Sequence, residues 1–72
     1  MTQDTYLRIV KQVLATDSSV RVYDSHQSKL NSLARRVARG ECSPKDTIAD
    51  IESIFHPWIS RSLKESLERA LR

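Results

Sequence analysis

Only three residues in this 72-residue chain interrupt a helix, Gly40, Pro44 and Pro57. With so few breakers, and with Leu, Ala, Arg and Lys filling the intervals, the chain is committed to helices rather than strands. The breakers also divide it. Gly40 stands where a left-handed residue closes a helix, Pro44 suits a first helical position, and Pro57 stops or kinks whatever precedes it.

Apolar spacing fills in the segments. Tyr6, Ile9, Val10, Val13 and Leu14 recur at helical intervals and predict a first helix over about 3–15, capped by Thr2, with Asp4 in the first turn. Thr16-Asp17-Ser18-Ser19 ends it. Val20-Arg21-Val22-Tyr23 alternates like a strand but has no partner strand, so it is expected as an extended connector pinning Val20 and Val22 to the core. Asp24-Ser25-His26-Gln27 reads as a capping box opening a second helix over about 25–39, with Leu30, Leu33, Ala34, Val37 and Ala38 inward. Ser43-Pro44-Lys45-Asp46 opens a third, over 44–55, with Ile48, Ile51, Ile54 and Phe55 on one side. Beyond the His56-Pro57 bend a fourth is expected over 58–71, with Ile59, Leu63, Leu67, Ala70 and Leu71 as its stripe and His56 a possible cap. The expectation is one all-α domain over 1–72, a compact bundle of three to four short helices. Its core would be Tyr6, Ile9, Val10, Val13, Leu14, Leu30, Leu33, Val37, Ile48, Ile51, Phe55, Ile59, Leu63 and Leu67.

Size limits what such a core supplies, a few kcal/mol at most. Cys42 is the only cysteine, so no disulfide forms within the chain. Cys42, His26 and His56 lack paired-ligand spacing, and neither metal nor cofactor is expected. Helix packing or association into a homo-oligomer must then carry the stability. The lone cysteine and an N-terminus unlike a secretory leader fit a cytoplasmic protein. No apolar run is long enough to span a membrane. The amphipathic 60–72 segment is expected in the core rather than on a lipid surface, because Glu65 and Glu68 interrupt its basic side.

Charge is dealt out by segment. Residues 24–42 sum to +2, 43–56 to −2 and 57–72 to +2, and with +1 from the first 23 residues the chain carries +3. An acidic helix between two basic ones suits docking on basic surfaces of its own chain or of a partner, and favours orientation and on-rate over affinity. Affinity needs apolar anchors. Trp58 is the best of them, and its alternative fate is to pack over the Phe55/Pro57 corner and close the core. Tyr23, with Arg21 nearby, is the second exposed aromatic candidate.

Lys29, Ser32, Arg36 and Arg39 step by three and four residues, so with Arg35 beside them they share one helix face that could follow a phosphate backbone. Against this stand the modest charge and the lack of aromatics interleaved with the basic residues. A helix-turn-helix reading of the second and third segments fails, because its recognition helix would be the acidic one. For catalysis, Cys42, His26 and His56 offer reactive groups but no constellation of roles, and no enzyme is expected. The sequence therefore points first to a non-enzymatic module that binds another protein, as a regulator or inhibitor, through Arg35, Arg36, Arg39, Tyr23 and Trp58. The alternative is nucleic-acid binding through Lys29, Ser32, Arg35, Arg36 and Arg39.

Overall fold

A computed structural model describes all 72 residues. It is an all-α bundle, 68% helical, with four α-helices and no strand. The helices are α1 (Gln3–Leu14), α2 (Asp24–Ala38), α3 (Ile48–Phe55) and α4 (Arg61–Ala70), with a 3₁₀ turn at Pro44–Thr47. Helix α1 packs on α2 and α4, and α3 packs on the same two, so the four close into a ring around one core.

Local chemistry sets each boundary. Thr2 caps α1 by accepting from the Thr5 N–H at 3.1 Å. At the end of α2, Gly40 takes φ of +76°. Its N–H reaches the Val37 carbonyl, and the Glu41 N–H reaches that of Arg36, each at 3.0 Å. This paired closure needs a left-handed residue, which glycine supplies without strain. Ser43 precedes the 3₁₀ turn, with Pro44 at its first position, and its N–H donates to Asp46 Oδ2 at 3.2 Å.

Three boundaries differ from expectation. The first turn after Ser43 is 3₁₀ rather than α, so α3 begins only at Ile48. The α2 box is displaced by one residue, with Tyr23 at the cap position and the His26 ring, not Gln27, accepting from the Tyr23 N–H. Helix α4 starts at Arg61, capped by Ser60, which accepts from the Leu63 N–H at 3.1 Å. Trp58 and Ile59 therefore lie outside α4, and His56 does not cap it. The connector 20–23 is irregular, as expected, but only Val20 packs against the core, while Val22 is exposed.

The core holds Tyr6, Val10, Leu14, Leu30, Leu33, Ala34, Val37, Ile48, Ile51, Phe55, Leu63, Leu67 and Leu71. Ile9, Val13 and Ile59, expected inside, are only partly buried against it. Leu71 lies fully inside, and with Leu63 and Leu67 it spends the α4 stripe on the core. Thr47 is the buried polar residue that spacing did not predict. Its hydroxyl donates to the Pro44 carbonyl at 2.7 Å, which leaves its oxygen to accept from the Tyr6 hydroxyl at 2.6 Å. No buried side-chain nitrogen or oxygen is left without a partner, as a small core requires. No helix is long and apolar enough to cross a membrane.

Candidate protein-interaction site

The site forms where the start of α2 meets the end of α3. His26, in the first turn of α2, faces two ways. Its ring packs on the buried Phe55 with centroids 4.7 Å apart and on Tyr23 at 5.7 Å, both tilted. Its Nδ1 accepts from the Tyr23 N–H at 3.2 Å and lies equally far from the Arg21 carbonyl. The bond from Tyr23 calls for a bare Nδ1, whereas the tautomer with a proton there donates to the Arg21 carbonyl instead. His26 thus links the connector to the core.

Trp58 reaches the same place from the other side. The chain leaves α3 at Phe55 and turns through a cis His56–Pro57 peptide. The Trp58 N–H donates to the Phe55 carbonyl at 2.7 Å. The backbone is fixed, but the indole is not folded over the corner: Trp58 is 55% exposed and Tyr23 61%. The alternative fate of Trp58, closing the core over Phe55 and Pro57, is not what the fold adopts: Phe55 is already covered, in part by His26. Trp58, Tyr23, Arg21 and Ser19 line a depression of about 240 Å³. Arg21 takes part in neither ion pair of the chain. Ser19 is held by Asp17, whose Oδ1 accepts from its N–H at 2.9 Å and its hydroxyl at 2.6 Å. Those two bonds hold the Asp17 carboxyl below its ordinary value.

The remaining site residues lie elsewhere. Lys29, Ser32, Arg35, Arg36 and Arg39 are all exposed, opposite the Leu30, Leu33, Ala34 and Val37 face of α2. The shared face is therefore real. Arg35 donates to Ser32 at 3.3 Å, and Arg39 lies 3.9 Å from Glu41 with both side chains largely in solvent, a contact worth little. At about 1.5 Å per residue, Arg35 and Arg39 stand roughly 18–24 Å along the axis from Tyr23. The five expected protein-binding residues therefore form two patches, aromatic at one end of α2 and basic at the other. Arg21 belongs to the first patch, and its neighbour Tyr23 was the only sequence signal for it.

The acidic segment is partly used by the fold. Asp46 serves its own turn, where bonds from the Ser43 hydroxyl and N–H hold its carboxyl low. Glu52 pairs with Lys64 at 3.3 Å, tying α3 to α4. A wider concavity of about 500 Å³ on α3 is lined by Ala49, Glu52, Ser53 and His56. A hydroxyl-rich cleft of about 240 Å³ lies between the end of α1 and the start of α4, with Ser18, Ser60, Ser62 and Ser66 on its walls. His26 and Cys42 flank opposite ends of α2, so the thiol and that imidazole do not meet. Compared with known protein families, characterised proteins and solved structures, the chain matches none.

Proposed function

We propose that this chain is a non-enzymatic module that binds another protein and thereby regulates or inhibits it. One observation carries the reading: Trp58 and Tyr23, the two most exposed aromatics, line one depression with an unpaired arginine. Trp, Tyr and Arg dominate the energetics of protein interfaces, and they do so when a partner covers them in a shared pocket. Folding makes little use of either ring, since the core is closed beneath them by His26 and Phe55.

The basic patch has a different part. Arg35, Arg36 and Arg39 are solvated and distant from the rings, so they steer encounter more than they hold the complex. Affinity capture from the source cell tests this. The R36E/R39E variant should melt like the wild type while capturing its partner more slowly at low salt and losing the fall with rising salt that the wild type shows. Capture indifferent to both salt and charge reversal removes the basic patch from the interface.

A second reading rests on the same helix. Lys29, Ser32, Arg35, Arg36 and Arg39 make a continuous exposed face suited to phosphates. It requires binding of mixed DNA or RNA whose log–log salt slope is several units. A flat response rejects it.

A further inference from the structure

We propose that the depression between Trp58 and Tyr23 receives an acidic peptide segment, with an apolar side chain between the rings and an adjacent Asp or Glu carboxylate on Arg21. The inference rests on the protein-binding reading and specifies the chemistry of the partner.

Volume comes first. About 240 Å³ is smaller than the roughly 300–1,000 Å³ of sites that enclose whole small molecules. It accommodates one side chain of something larger. Two aromatic walls favour an apolar or aromatic group there, whose burial removes both exposed rings from water.

Charge then selects the neighbour of that group. Arg21 is the one cation lining the depression, and no carboxylate of the chain pairs with it. A guanidinium presents a planar fork that matches a carboxylate with two parallel hydrogen bonds. A partner lysine or arginine between the rings would instead meet Arg21 at close range, so a cationic ligand is disfavoured.

A nucleic-acid strand also joins flat groups to anions, but the surroundings oppose it. Asp17 and Asp24 flank Arg21 in sequence, so the 17–24 segment sums to −1. A strand binder needs a positive track for successive phosphates. A single unpaired arginine with acids on either side suits one carboxylate in a chain of mixed character.

Trp58 is the only tryptophan, so its fluorescence reports this site alone. The probes are a blocked hexapeptide carrying one Glu beside one Phe among uncharged residues, its Gln analogue, its Lys analogue, and a single-stranded oligothymidylate. The acidic peptide should shift Trp58 emission saturably at concentrations up to about 1 mM. The neutral analogue should bind about tenfold more weakly, and the Lys analogue not at all. R21Q should lose about tenfold for the acidic peptide while melting like the wild type, and R21K should fall between, keeping charge without the fork. Equal binding of the acidic and neutral peptides overturns the proposal, as does R21Q binding like the wild type or silence toward every peptide. If partner capture persists in those cases, this ligand class is lost and the protein-binding reading stands. Tighter binding of the oligothymidylate than of the acidic peptide overturns both.

Discussion

The two tyrosines of this chain sit in opposite circumstances. Tyr6 is wholly buried, its hydroxyl donating to Thr47 across 41 residues of sequence. Tyr23 is 61% exposed and touches the fold through its backbone N–H, its carbonyl, which accepts from the Gln27 N–H, and one tilted contact with His26. The difference teaches what each residue is for. At Tyr6 the ring fills the core and the hydroxyl closes a chain that ends on the Pro44 carbonyl, so every polar atom is answered internally. At Tyr23 the fold fixes the backbone and leaves the ring to solvent, together with Trp58 and Arg21. One tyrosine is spent wholly on the fold, and the other stays outside it.

The contrast is broken most severely at Tyr6. Tyr6→Ala removes a buried ring and should cost about 3–5 kcal/mol, enough to unfold a domain of this size at room temperature, as circular dichroism will register. Thr47→Val should cost about 2 kcal/mol in urea denaturation, because it strands the Tyr6 hydroxyl without a partner. Adding Tyr6→Phe to that variant should recover the part of the loss that comes from the stranded Tyr6 hydroxyl, leaving the part that comes from the Pro44 carbonyl. Absence of recovery means that the hydrogen bond is not what joins the two residues.

His26 stands between the two regions. His26→Ala loses the acceptor for the Tyr23 N–H and the ring that covers Phe55. About 1–2 kcal/mol should disappear in chemical denaturation, from the cap and the aromatic contact together. The connector should also loosen, seen as faster hydrogen exchange at Tyr23. Unchanged exchange there means that His26 does not hold the connector.

Two pH limits sharpen the comparison. Burial raises the Tyr6 pKa above 10.0, opposed by its bond to Thr47 and reinforced by the nearby Cys42 and Asp50. Because the folded-state value is the higher, the protection is complete below about 10 and is lost as pH rises through the raised value. Tyr6→Phe should remove that alkaline limb. Asp46 is the reverse case, held below 3.8 by Ser43. Its contribution is present above 3.8 and is lost as pH falls through the depressed value, and Asp46→Asn should flatten that part of the acid limb. The smallest stability change belongs to Trp58→Ala, within about 0.5 kcal/mol, because an exposed ring has little packing to lose. A larger loss in thermal melting places the indole in the core's account.

Much of the fold was legible because helical spacing is a local property. Helix α1, the extent of α2 and the Gly40 closure follow from residues close in sequence. The start of α4 did not, because Ile59 continues the stripe arithmetically across a segment that Pro57 keeps out of the helix. Ser60, three residues before Leu63, was the available sign. Thr47 went unread because a threonine in a first turn looks like a surface residue until Tyr6 is brought beside it. The site was half legible for a similar reason. Tyr23 and Trp58 stand out singly as aromatics, but their juxtaposition depends on α2 and α3 packing together. The distance of Arg35, Arg36 and Arg39 from Tyr23 is set by the length of α2 alone, and the helical rise applied to their spacing already implied it.

The most direct test is the emission of Trp58 in the free protein and after addition of the captured partner. Burial of the ring at an interface predicts a shift to shorter wavelength and protection from acrylamide quenching on binding. Emission and quenching unchanged in a formed complex would contradict the account, because the partner would then be held elsewhere on the molecule.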